Sequence, residues 1–170
     1  MSYRLDLFAE QDRVTPADVI DLWIREGAVD QAEAERRVHE VLVVATDEAG
    51  APVGISTSFL KRNDQLQAEL WHTRVFVATE HRQSGLAIEL AKTARDHLCQ
   101  RYADGRDRRG IGLLFEVESE ILKRFIPQAV WPHTQFVFIG ENARGDHVRV
   151  LYFPGALAPE PDAGPAQGSS

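Results

Sequence analysis

The chain of 170 residues contains a single cysteine, Cys99. One thiol makes no internal disulfide and no thiolate metal cage, and its place among apolar helix-face positions reads as core. No apolar run approaches the roughly 20 residues needed to cross a bilayer, so no membrane is expected as a partner. The N-terminal residues 1–6 are charged and lack the apolar core of a signal peptide, and a cytoplasmic protein is expected. The six histidines show no spacing such as H-E-x-x-H, and no G-x-x-x-x-G-K-[ST] loop is present. Gly54-Ile55-Ser56-Thr57-Ser58 lacks the second glycine of a nucleophile elbow. There is no internal repeat. A basic excess is also missing: the formal net charge is −7 and the pI is near 5.3. Nucleic-acid binders carry a basic face to neutralise phosphates, so the balance argues against RNA or DNA and suits a cationic or neutral small substrate.

What is present is ordinary for a soluble domain with a core, at 44% hydrophobic and 26% charged residues. One domain is expected over residues 1–153. From Pro154 the chain is Pro, Gly, Ala, Ser and acidic residues, and a disordered tail is expected over 154–170. Arg101, Arg106, Arg108 and Arg109 form a local basic cluster that reads as a solvated loop.

Alternation over residues 3–8 predicts a short edge strand. Thr15 with Pro16 predicts a capped helix ended by Gly27, and Asp30 caps a second helix over about 31–40. Residues 41–46 and 52–60 read as a hairpin around Asp47-Glu48-Ala49-Gly50. A turn over 61–65 leads to a third member, 66–77, whose length predicts a bulge or bend. After Gly85, Ala87, Ile88, Ala91, Ala94 and Leu98 follow the spacing of a helix face. A strand over 111–117 follows, then a broken helix over about 120–131 interrupted by Pro127, then strands over 134–140 and 147–153. The expected order is β-α-α-β-β-β-α-β-α-β-β, a mixed α/β domain.

The rest of the chain is organised around residues 71–98. A strand ends at Val77, a polar connector follows, and Ser84-Gly85 opens a helix. A helix start leaves four backbone N–H groups unpaired, and its dipole favours an anion there. Gly85 removes a side chain where a ligand must come close, and Arg82 can add a charge-assisted contact.

Arg82-Gln83-Ser84-Gly85-Leu86-Ala87 resembles the R/Q-x-x-G-x-G/A acyl-coenzyme A segment of the GCN5-related N-acetyltransferase (GNAT) superfamily. Val75-Phe76-Val77 is similar to the strand end that precedes it, Val53-Gly54 to the family's hairpin, and Ala129-Val130-Trp131 with Phe136 to its late helix-to-strand segment. The resemblance covers roughly residues 4–153. It implies the GNAT acyl-CoA acyltransferase fold with a mixed central sheet, and acetyl-CoA as co-substrate. Val75, Phe76, Val77, Arg82, Gln83, Ser84, Gly85, Leu86 and Ala87 would contact that cofactor, with the N–H of Phe76 or Val77 polarising the thioester carbonyl. Two departures stand out: Trp131 replaces the tyrosine that serves many members as general acid, and Gln135 replaces a glycine. An indole N–H has no useful acidity.

Acyl transfer to an amine needs a base. Unbroken alternation would put Glu69, Trp71, Thr73, Val75 and Val77 on one face and His72 on the other. Glu69 and His72 are both candidate bases, with Glu116 and Glu118 near the expected cleft. His133 reads as loop surface, though it could replace the missing acid. The implied activity is acetyl transfer to a primary amine of a small molecule or peptide by direct attack. The rivals are a non-catalytic GNAT-fold module for CoA sensing or protein interaction, and a toxin-type acetyltransferase. Dimerisation is common in such folds, which leaves a homodimer open.

Overall fold

A computed structural model describes residues 2–160; Met1 and residues 161–170 lie outside the described part, and with them most of the expected tail. A seven-stranded sheet runs in the order β1-β2-β3-β4-β5-β7-β6. Its strands are β1 (Arg4–Leu7), β2 (Val41–Thr46), β3 (Pro52–Asn63), β4 (Ala68–Val77), β5 (Gly112–Val117), β6 (Val137–Glu141) and β7 (His147–Tyr152). The helices are α1 (Pro16–Arg25), α2 (Gln31–Arg37), α3 (Leu86–Ala103) and α4 (Glu120–Phe125). Every named strand pairing is antiparallel except β4 with β5.

The first two helices start where their caps dictate. Thr15 and Asp18 form a reciprocal box, the Asp18 carboxylate accepting from Thr15 N at 2.7 Å and Thr15 Oγ1 accepting from Asp18 N at 3.3 Å. Asp30 Oδ1 accepts from Glu33 N at 2.8 Å. The second helix is α-helical only to Arg37; its expected last turn tightens into a 3-10 turn over Val38–Glu40.

Three expectations need correction. No bulge interrupts β4. Its pairing with β3 runs without a shift from Gly54↔Val77 to Asn63↔Ala68, because β3 is itself longer than expected and keeps step with it. The stretch expected as a broken helix ends its helix at Phe125. Pro127 has no N–H to continue the ladder and pushes Ile126 out of the helical region, to φ −126° and ψ 65°. Val130 instead bridges Val137. The strand expected from residue 134 begins at Val137, because Gln135 turns the chain at φ +65°.

Alternation divides the sheet into two faces. Gly54 lies on the α3 face, where an added Cβ would stand 2.8 Å from Leu90 Cδ1, so its missing side chain is what lets α3 come down on β3. Across from it are Trp71, Thr73, Val75 and Val77 on β4. The opposite face carries Ile55, Thr57 and Phe59 of β3 and Leu70, His72, Arg74 and Phe76 of β4. There the 3-10 turn after α2 meets Arg74 through Glu40 at 3.1 Å. Beyond β7, Phe153 and Ala156 pack on the Trp71 and Leu113 cluster, and residues 154–160 hold no helix or strand.

The arginine cluster is internally satisfied. Arg101 and Arg109 pair with Asp107, Arg106 with Asp104, and Arg108 donates to the Tyr102 carbonyl. Cys99 is half-buried against the core, and burial raises its thiol pKa. Among the described residues no helix is long and apolar enough to cross a membrane.

Candidate active site

Strands β4 and β5 are hydrogen-bonded neighbours over two positions only, Trp71↔Leu113 and His72↔Leu114. Beyond them β4 stays zipped to β3 and β5 stays zipped to β7, so the two strands part. The direction of the unpaired groups follows from alternation. Ala78 N donates to Val53 O on the β3 side at 2.8 Å, and Glu69 O accepts from Ile111 N on the β5 side at 3.0 Å. Thr73, Val75 and Val77 therefore turn their N–H and C=O groups toward the gap, and Phe76 turns its own toward β3. The N–H role expected of Phe76 or Val77 is open to Val77 and not to Phe76, whose ring lines the cleft instead.

The head of α3 supplies a second set of donors. Gly85 takes φ +80°, a left-handed position where a Cβ would be strained, and nothing lies within 4 Å of where that Cβ would be. Ser84 Oγ donates to His81 O at 2.6 Å and accepts from Leu86 N at 3.3 Å. Among the described residues, the N–H groups of Gln83, Gly85 and Ala87 meet no acceptor. Arg82 is exposed, and its Nε donates to the Val77 carbonyl at 3.2 Å, which ties the loop to the strand end.

A cavity of about 410 Å³ passes through the gap. On the α3 side it is lined by Val75, Ala87, Ile88 and Ala91, and on the other side by Thr57, Arg74, Phe76 and Trp23. Glu116, Glu118, Trp131 and His133 close its β5 side. A recess of about 50 Å³ adjoins it, sharing Arg74, Glu116 and Glu118 and adding His72 and Phe59. That volume admits about one water. His72 Nε2 is buried without a hydrogen-bond partner among the described residues. Burial presses the His72 pKa below the ordinary imidazole value, Lys61 and Arg74 press the same way, and Glu116 opposes them. His72 is thereby held neutral near pH 7, the form that accepts a proton.

The two candidate bases are separated. His72 and Glu69 point to opposite faces of an unbulged strand, and Glu69, opposite Arg62 near the start of β4, lines neither cavity. Trp131 lines the cleft with its indole N–H committed to Ile126 O at 3.0 Å. Its ring lies under the Arg149 guanidinium, 4.3 Å from Cζ to centroid. Arg149 is almost fully buried and donates to Gln128 O at 2.9 Å. At Gln135, the second departure, the backbone takes the positive φ that glycine supplies freely, and this chain holds it with a glutamine.

Sequence reasoning missed Arg37, Thr57, Arg74 and Thr134, all of which line the cavity. No local pattern singled out Arg74, since Glu69, His72 and Thr73 on the same strand are polar too.

No family model matches the sequence, and no curated protein does. Solved structures do. An acetyltransferase of the GNAT family from Streptococcus pneumoniae superposes with a TM-score of 0.60 at 12% identity, over 89% of this chain and 99% of that one. A GNAT superfamily phosphinothricin acetyltransferase from Sinorhizobium meliloti, in complex with AcCoA, gives 0.59 at 18% identity over 98% and 97%. A mutant toxin bound to the C-terminus of its antitoxin gives 0.58 at 10% identity over 90% and 94%. The chain has the GNAT fold.

Proposed function

We propose that the protein is an acetyl-CoA-dependent N-acyltransferase that moves an acetyl (acyl) group to a primary amine of a small molecule or peptide by direct attack. The observation that carries this reading is the cavity through the β4–β5 gap. It joins the first turns of α3 on one face of the sheet to Arg74 and Glu116 on the other. A donor seated at the α3 head and an acceptor arriving from the opposite face would meet where the strands part.

The chain's groups divide the work. The N–H groups of Gln83, Gly85 and Ala87 converge on the pyrophosphate, aided by the helix dipole, and Arg82 adds charge. Ser84 and Leu86 shape that turn. Val75 and Val77 offer backbone groups to the pantetheine arm, and the Val77 N–H polarises the thioester carbonyl. His72 takes the first proton from the ammonium, directly or through the water its recess admits, and Glu116 stabilises the imidazolium. The amine nitrogen then bonds to the carbonyl carbon as the C–S bond breaks. A second N–H proton leaves and ends on the departing sulfur, through His133 or solvent, since Trp131 has no acidic proton. Glu69 has no part in this scheme.

Calorimetry with acetyl-CoA and CoA is the direct test. Binding at micromolar concentration is expected, and no heat at millimolar concentration overturns the reading. The committed indole of Trp131 favours one rival, a CoA-binding module without catalysis. Cofactor binding with no thiol release across a broad amine panel would select that rival.

A further inference from the structure

The acceptor side of the cleft carries an unusual distribution of charge. Arg74 on β4 and Glu116 on β5 each stand two residues beyond the last paired position, His72↔Leu114, on the same face of the sheet. They flank the mouth of the gap, and each has its partner elsewhere: Arg74 donates to Glu40 at 3.1 Å, and Glu116 accepts from Arg144 at 3.2 Å. Behind Arg74 lies a cationic group of residues. Among the described residues, Arg36, Arg37 and Arg74 pair with two carboxylates, Glu33 and Glu40. Behind Glu116 the excess is reversed, with Glu116, Glu118 and Asp146 sharing Arg144.

A third observation falls on the cationic wall. Thr57 is directly opposite Arg74 in the β3–β4 register, 4% exposed, and its Oγ1 has no hydrogen-bond partner among the described residues. A buried hydroxyl left without a partner forfeits free energy, and the residue that carries this one lines the cavity. Burial, and then the nearby Arg37 charge, lower the Arg74 pKa, a strain that an anion beside it would relieve.

We propose that the acceptor amine also carries an oxyanion, a carboxylate or phosphonate, which Arg74, Arg37 and the Thr57 hydroxyl bind while Glu116 and Glu118 hold its ammonium. The class of substrate is thus a zwitterion, oriented across the gap so that its nitrogen lies toward His72. The net charge of −7, which suits a cationic substrate, is overridden by a local field of both signs. This inference rests on the acyltransferase reading for its chemistry, and its binding half can be tested apart from that reading.

The probes are pairs that keep the amine and lose the anion, compared at a mildly acidic pH where both amines of each pair are protonated: L-methionine against L-methioninamide, and 2-aminoethylphosphonate against propylamine. Calorimetry on the full chain without acetyl-CoA should show the anionic member of at least one pair binding roughly 10–100-fold more tightly. The carboxylate and phosphonate arms separate the two sources of oxyanion. Arg74→Gln should abolish that preference, and Arg37→Gln or Thr57→Val should reduce it. Arg74→Gln leaves Glu40 paired with Arg36, so its melting temperature should stay near that of the parent. With acetyl-CoA present, Arg74→Gln should raise KM for the anionic amine by the same factor and leave KM for acetyl-CoA unchanged. No preference within either pair, or a preference that survives Arg74→Gln, overturns the subsite. Turnover of neutral amines alone would sink the subsite and leave the acyltransferase standing. An Arg74-dependent preference without acetyl-CoA binding would do the reverse.

Discussion

The two ends of the cleft are built from different materials. At the α3 end the proposed working groups are backbone N–H donors, presented by a turn that holds Gly85 at φ +80° and by strand residues whose partner strand has moved away. At the acceptor end they are side chains drawn from α2, β3, β4 and β5, segments far apart in the chain. A backbone site is specified by local geometry and tolerates few residue types at one position. A side-chain site is specified by which distant residues meet, and any one of them is replaceable without moving the chain. The first kind should therefore fail sharply on a single glycine change, and the second should fail in graded, separable ways.

The largest effect is expected at Gly85→Glu. The new carboxylate enters the anion site, and its side chain is forced into a left-handed position costing about 1–2 kcal/mol. Acetyl-CoA affinity measured by calorimetry should fall more than about 100-fold, with the far-ultraviolet circular dichroism spectrum retained. Unchanged affinity would remove the α3 head from the site. Next is His72→Gln, expected to lower kcat roughly 100-fold while KM for acetyl-CoA holds. The acid limb of the parent kcat/KM profile should lie below pH 6.5, the ordinary imidazole value, and should vanish in the variant. The same shift links to stability. The unfolded chain protonates His72 first, so the parent is stable above pH 6.5 and loses stability as pH falls through the lowered folded value. His97 is displaced the same way by burial, so His72→Gln should flatten this loss only in part.

Smaller effects separate packing from chemistry. Trp131→Phe removes the indole bond to Ile126 O and should cost about 1 kcal/mol in urea unfolding, with turnover kept. A fall in kcat beyond tenfold would show that the indole does more than pack. Gln135→Gly should raise stability by up to about 1 kcal/mol by relieving a positive φ, since the exposed bond from its amide to Pro132 O is worth little. A loss of stability there would mean that the side chain, and not the backbone, holds the turn.

The contrast also explains what could be read in advance. The caps at Thr15 and Asp30, the hairpin and the Arg82-to-Ala87 turn are local, and their residues state their own conformations. The failures came where a neighbour decided. The length of β4 looked excessive until β3 proved equally long. The broken helix expected to about residue 131 ended at Phe125 and did not resume, because Pro127 acts on the residue before it. Glu69 and His72 stood side by side as candidate bases on the two faces of a strand, and only His72 lies at the parting of β4 and β5.

Local chemistry, then, determined the order of the elements and the turn proposed to bind an anion, because capping, periodicity and glycine conformations act over a few residues. The tertiary structure alone decided where β4 and β5 separate, which sets Arg74 and Glu116 on either side of a gap and leaves Thr57 and His72, on the same face of the sheet, with buried polar atoms that have no partner among the described residues. That outcome depends on β4 following β3 while β5 follows β7, a competition between long-range pairings that no short stretch of sequence encodes.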